Sequence, residues 1–196
     1  MASIAHLAAG AVCGAAYASQ TRTKPVPAIA VFALIALTPD LDFFAAPLPS
    51  VGTPLEHRVM THSLPFAVAA GMVFGVLLGP RRSRLLAGVW SAVALASHGL
   101  LDAMTGNDPG PQLWWPFASH PVQFAWQPIP GTHSYQEYFT TAAIPVVSEE
   151  LLWCLPFVAL TGWILLRGRP GDQPEPEGIH DRGELLLGGR TAPFND

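Results

Sequence analysis

Apolar residues in this chain fall into long runs, separated by short polar breaks. Five apolar segments stand out, at about 4–19, 26–46, 64–79, 85–103 and 151–166. Runs of this length predict helices, and they sit near the lower limit of about 17–25 residues needed to span a bilayer. The first is rich in Ala and Gly, which makes it weakly hydrophobic but suited to close helix packing. It resembles a signal peptide in ending on small residues, but no basic stretch precedes it and His6 interrupts it, so it reads as a retained helix. Pro65 and Pro156 stand near segment starts, where proline is tolerated. A stretch at about 104–150 is rich in Pro, Gly and aromatics. From 168 onward the composition turns polar and Pro/Gly-rich. The expected organisation is a membrane-embedded domain over 1–167 and a flexible cytoplasmic tail over 168–196.

Composition sharpens this picture. Hydrophobic residues make up 50% and charged residues 12% of the 196 positions. That charged share is about half the usual one. The fold class expected is all-α, an integral membrane bundle of about five helices. The formal net charge of −4 carries no basic surface for nucleic acid. Cys13 and Cys154 both lie inside apolar runs and read as small buried residues.

Basic residues set the expected topology. Arg22 and Lys24 follow the first segment, Arg81, Arg82 and Arg84 separate the third from the fourth, and Arg167 and Arg169 follow the fifth. The positive-inside rule puts all three places in the cytoplasm. Five spans threaded through them leave the N-terminus outside and the C-terminus inside. Of the ten basic residues, Arg58 is then the one left outside. The same threading, built on Arg and Lys alone, gathers His6, Asp40, Asp42, His57, His62, His98 and Asp102 on the outer face.

Ionisable residues beside membrane-grade segments are costly and usually functional. His98 and Asp102 are spaced i, i+4, so on a helix they share a face and can grip one ion or each other. Asp40 and Asp42 follow Pro39 at i, i+2, and an extended chain would project both to one side. One of them then binds metal while the other orients a ligand histidine or bridges two ions. His57 and His62 fall roughly 140° apart on a regular helix. Such a pair serves two metals, or divides into a ligand and an acid–base group. Arg58 can hold an anionic group in a forked grip, or pair with a nearby carboxylate. Thr61 or Ser63 caps the third helix, and Ser148-Glu149-Glu150 reads as the cap and acidic first turn of the fifth. Trp114, Trp115, Phe117, Phe124, Trp126, Tyr135, Tyr138 and Phe139 read as an interfacial belt or as a groove over the site. His120, His133 and Glu137 are weaker ligand candidates, and His180 lies in the tail.

The expected metal ligands are His6, Asp42, His57, His62, His98 and Asp102, and the expected catalytic groups are Asp40, Arg58 and His57. Mixed imidazole and carboxylate donors suit zinc, with manganese or iron as alternatives, at one or two ions. Two other readings stay open: a structural or regulatory metal site, and an ion or solute transporter.

The early His, PDLD, HRVMTHS, HGLLD and LWWPF, in that order over roughly residues 1–120, resemble the YdjM-like family of inner-membrane-associated metal-dependent hydrolases. The resemblance implies metal residues at His6, Asp40, Asp42, His57, His62, His98 and Asp102, and a hydrolytic reaction. A more distant similarity is to the zinc-dependent phospholipase C and P1 nuclease fold, which has an HxxxD helix pair like His98–Asp102. It implies phosphoester hydrolysis. This chain departs from that pattern in lacking a clear late His/Glu helix pair and a Trp ligand at its N-terminus. Membrane lipids, and a lipid or lipid-linked ester substrate, are the expected partners.

Overall fold

The computed structural model describes residues 3–45, 53–106, 109–129, 131, 140–141 and 143–167. Its order is α1 (Ser3–Thr21), α2 (Pro25–Leu37), a 3-10 helix (Thr38–Ala45), α3 (Leu64–Leu78), α4 (Arg84–Ala103) and α5 (Ala143–Arg167). The architecture is the expected all-α bundle. Pro25–Phe43, Arg84–Ala103 and Ile144–Arg167 are long and apolar enough to cross a membrane. The chain's tail, 168–196, lies outside the described residues.

Small residues set the packing. Gly10 and Gly14 form a GxxxG pair on α1, and a Cβ at either would press into the α2 backbone, against the Phe32 carbonyl and the Ile29 Cα respectively. Gly71 and Gly75 do the same on α3 against Ala92 and Gly88 of α4. In lipid there is little hydrophobic drive between helices, so association depends on such close backbone approach. α1 is accordingly buried along most of its length, with Ala5, Ala9, Cys13, Ala15 and Tyr17 in the core. The apolar residues that face outward, such as Leu77, Leu85, Leu152 and Leu166, suit hydrocarbon solvent rather than water.

The fifth helix differs from expectation. It begins at Ala143, eight residues before the apolar run. Ser148 is therefore not its cap; the Oγ bonds back to the Pro145 carbonyl, one turn earlier. Glu150 is buried and caps a different helix. Its Oε1 accepts from the backbone N–H of Ile4 at 2.7 Å and of Ala5 at 3.1 Å, the open first turn of α1. Replacing Glu150 by Leu would leave those donors without an acceptor. The expected loss is about 1–3 kcal/mol, read as a lower unfolding midpoint in detergent for Glu150→Leu, with Glu150→Gln retaining most of the stability.

Candidate metal centre

Pro39 prepares the site. In an α-helix the Ile35 carbonyl would accept from residue 39, but proline has no N–H. Thr38 satisfies that carbonyl instead, through its backbone N–H and through Oγ1 at 2.8 Å. The chain thereby tightens into the 3-10 helix rather than the extended conformation that would have put Asp40 and Asp42 on one side. The 3-10 partner of Ala36 is again Pro39, so that carbonyl is open. It receives Nδ1 of His98 from α4 at 2.7 Å. His98 Nδ1 therefore carries the proton, and its Nε2 lone pair points inward.

Residues 53–63 form successive turns, not the regular helix expected for His57 and His62. Arg58 sits within them at a left-handed φ of 69°, uncommon for a residue with a Cβ. Ser63 ends the turns as the cap of α3, accepting from Phe66 N–H at 3.3 Å. Gly99, immediately after His98, makes room for the whole segment, because a Cβ there would collide with the His62 carbonyl. The loop after α4 closes over these turns: Gln112 N–H donates to the Arg58 carbonyl at 2.8 Å and Leu64 N–H to the Leu113 carbonyl at 2.9 Å.

All seven His and Asp residues singled out in the sequence meet at one end of the bundle. His62 Nε2 and His98 Nε2 are 3.2 Å apart. Asp40 Oδ1 lies 3.3 Å from His98 Nε2 and 3.6 Å from His62 Nε2. Asp102 Oδ2 lies 3.4 Å from His62 Nε2, and Oδ1 lies 3.4 Å from His6 Nε2. The His6 ring stacks on His98 at 3.7 Å between centroids. A tetrahedral zinc site with bonds of 2.0–2.1 Å has ligand–ligand edges of about 3.3–3.4 Å. The donor spacings of 3.2–3.6 Å lie around that value.

Hydrogen bonding tests the fit independently. Among the described residues, both ring nitrogens of His6 and both oxygens of Asp102 are buried without a hydrogen-bond partner. Buried polar atoms are rarely left so, and a divalent cation among them would satisfy Nε2 of His6 and the Asp102 carboxylate together. The grouping extends sideways as three overlapping sets, His6–His98–Asp102, Asp40–His62–His98 and Asp42–His57–His62.

Asp42 stands one step back from the convergence of Nε2 atoms. Its Oδ1 is 2.7 Å from His57 Nδ1, and its Oδ2 accepts from Thr61 Oγ1. Thr61 Oγ1 is also 2.9 Å from His62 Nδ1. Burial opposes charge on His62, yet the carboxylates of Asp102, Asp40 and Asp42 outweigh it and hold its pKa well above the ordinary histidine value. Arg58 lies behind the cluster, with Nε 3.5 Å from Asp102 Oδ2 and Nη1 donating to the Pro109 carbonyl at 2.8 Å. The carboxylate pairing anticipated for Arg58 is thus present. His6, His62, His98 and Asp102 are sealed, whereas the side chains of Asp40 and His57 are 15% and 27% exposed.

Of the weaker candidates, His120 is exposed and belongs to none of the three groups. His133 and Glu137 lie outside the described residues, as do Tyr135, Tyr138, Phe139 and His180. Trp114, Phe117 and Trp126 are exposed. Sequence reasoning missed Glu150 as a cap of α1, the Ala36 carbonyl and Gly99. The HG of HGLLD and the Pro of TPDLD were the signals available for the last two.

Comparison with known proteins decides the kinship. Residues 1–170 match the model of the YdjM inner membrane protein family. The chain belongs to the YdjM inner membrane protein family. It is also 30% identical over 155 residues to the inner membrane protein YbcI of Escherichia coli (strain K12), covering 75% of this chain and 89% of that one. No solved structure matches. Every ligand candidate described above lies within the part matched to the YdjM family.

Proposed function

We propose that this YdjM-family chain is a metal-dependent hydrolase whose site faces the outer side of the membrane. The observation that carries the reading is the convergence of His6, His62, His98, Asp40 and Asp102, whose neighbouring donor atoms lie 3.2–3.6 Å apart in two overlapping groups that could each hold an ion. Zinc is the favoured ion, with manganese or iron as alternatives. When bound, such an ion would supply Lewis acidity and a water acidified toward neutral pH. The substrate proposed is an ester or phosphoester, and the membrane setting favours a lipid or lipid-linked one.

The residues divide by position. His6, His62, His98 and Asp102 are ligands held deep in the bundle. Asp40, at the exposed edge, is a ligand that can also accept a proton from the attacking water. Asp42 is a positioning residue: it orients His57 and, with Thr61, His62. His57, half-buried and hydrogen-bonded through Nδ1 to Asp42, is the acid–base group. Arg58 holds Asp102 in place and, among the described residues, is the cationic side chain at this end that would offset the charge of an anionic group bound at the site.

The orientation rests on charge. Arg22, Lys24, Arg81, Arg82 and Arg84 stand at the end of the bundle opposite the metal donors, and the positive-inside rule then turns the donors outward.

The near-complete burial of four of the donors favours a second reading, a structural ion with no open position. One experiment separates the two. The detergent-purified chain, loaded with zinc, manganese or iron, is assayed on phosphomonoester, phosphodiester and carboxylic ester probes, with and without a chelator. Turnover that needs metal and falls at least a hundredfold in Asp40→Asn supports catalysis. A loaded protein inert to every probe supports the structural site.

A further inference from the structure

The end of the bundle opposite the metal donors has a groove of its own. α2 and α3 do not pack on each other there, and the space between them is floored by α1 and α4. The cavity measures about 230 Å³. Tyr17 and Ala87 lie at its floor, Phe32 and Ile35 line it from α2, and Lys24 and Pro80 stand at its mouth. Val31 and Leu78, on facing walls, are 40% and 58% exposed, so the groove opens outward to hydrocarbon.

Its polar rim is uniformly positive. Lys24 lines the mouth, Arg22 precedes it, and Arg81, Arg82 and Arg84 flank Pro80 on the facing turn; all five are exposed. Every described carboxylate before α5 lies at the other end of the bundle, and Glu150 of α5 is spent there on α1. The rim is also held in place. Tyr17 Oη and Ser83 Oγ are 2.9 Å apart, tying α1 to the Arg81–Arg84 turn. Arg22 adopts φ 56° where a helix end usually takes glycine, and Thr23 N–H closes that turn on the Ala18 carbonyl at 3.2 Å. The chain thereby reverses at the groove mouth with two basic side chains on it.

We propose that this groove is a binding site for an anionic phospholipid of the surrounding leaflet. One acyl chain lies between α2 and α3 over the floor of Tyr17 and Ala87, and the phosphate is held by Lys24 and the arginines of the Arg81–Arg84 turn. An apolar slot contiguous with a basic cluster at headgroup depth is the arrangement that selects anionic headgroups. A zwitterionic lipid would fill the slot without answering the charge. The site is independent of the metal chemistry at the other end, and of which leaflet the basic end occupies.

The test uses the full chain in detergent with three probes: phosphatidylglycerol, phosphatidylcholine of the same acyl chains, and inorganic phosphate. Native mass spectrometry reads retained lipid, and thermal unfolding reads stabilisation. Phosphatidylglycerol should be retained and stabilising, phosphatidylcholine much less, and phosphate inert. Each basic residue removed, in Lys24→Gln and Arg84→Gln, should weaken the preference roughly fivefold. Ala28→Trp, which fills the slot and leaves the charges, should abolish retention of the lipid. Should Ala28→Trp fail to fold, Arg81→Gln/Arg82→Gln, wholly on the surface, still tests the charge preference. Equal retention of both lipids, a preference that survives loss of the basic residues, or a phosphate effect equal to that of phosphatidylglycerol would each overturn the proposal.

Discussion

His98→Ala combined with Asp102→Ala is expected to strip the purified protein of divalent metal, where the unaltered chain retains one or two ions by elemental mass spectrometry. The pair contributes an inward Nε2 and a carboxylate whose two oxygens lie 3.4 Å from two different histidines. Losing both leaves His6 and His62 without the anion between them. Asp42→Asn is a finer arm. It keeps every Nε2 in the cluster but weakens the carboxylate that orients His57 and His62, and affinity should fall about 10–100-fold. Proton competition adds a signature. His62 has its pKa raised by three carboxylates, so below that value a proton occupies the ring and metal must displace it. Affinity should therefore rise with pH through neutrality, and binding should release protons, measurable by calorimetry in buffers of differing ionisation enthalpy. A double variant that binds as much metal as the parent would sink the assignment of this cluster.

Gly99→Ala should be nearly as damaging, though it removes no ligand. The added methyl would meet the His62 carbonyl, a backbone atom held within a run of tight turns, and the Leu113 side chain at 3.1 Å. The turns carrying His57, Arg58 and His62 must then lift away from α4. Overpacking of this kind costs about 1–3 kcal/mol, and the Nε2–Nε2 spacing of 3.2 Å between His62 and His98 cannot survive the shift. The expected result is a lower unfolding midpoint together with metal affinity reduced by more than about tenfold, since ligand placement tolerates displacements of only ~0.2 Å. By contrast, Gly162→Ala, with no atom within 4 Å of its Cβ, should leave both unchanged. If Gly99→Ala bound metal like the parent, the close approach of the His62 turns would not be what assembles the site.

Much of the site was legible in the chain because membranes make charge informative. A His or Asp at the edge of an apolar run is expensive, so its presence points to use, and the positive-inside rule sorts ends without coordinates. Asp40, Asp42, His57, His62, His98 and Asp102 were found that way, and even His6 was placed beside them by topology. Of the two α3 caps the chain offered, Thr61 and Ser63, Ser63 is the one used. Where periodicity or local propensity was extrapolated, the reading failed. An extended TPDLD would put Asp40 and Asp42 on one side, but Pro39 removes one N–H from a continuing helix and the segment is a 3-10 helix instead. His57 and His62 were spaced as if on a helix, but Arg58 at φ 69° breaks any such regularity. Ser148-Glu149-Glu150 looked like a cap because the apolar run starts at Leu151. The helix begins earlier, at Ala143, and Glu150 is taken up by the α1 N-terminus, distant in sequence.

The sequence by itself determined that this is a membrane-embedded helical chain, which residues are its candidate ligands, and that they share one end. Those are properties of composition, spacing and charge along a line. Only the tertiary structure decided the placement: Asp40 with the converging Nε2 atoms and Asp42 beside His57 and Thr61, His98 fixed by the Ala36 carbonyl, and α1 capped from α5. Each depends on atoms from helices far apart in sequence meeting within about 3 Å, and no periodicity encodes a distance across a bundle.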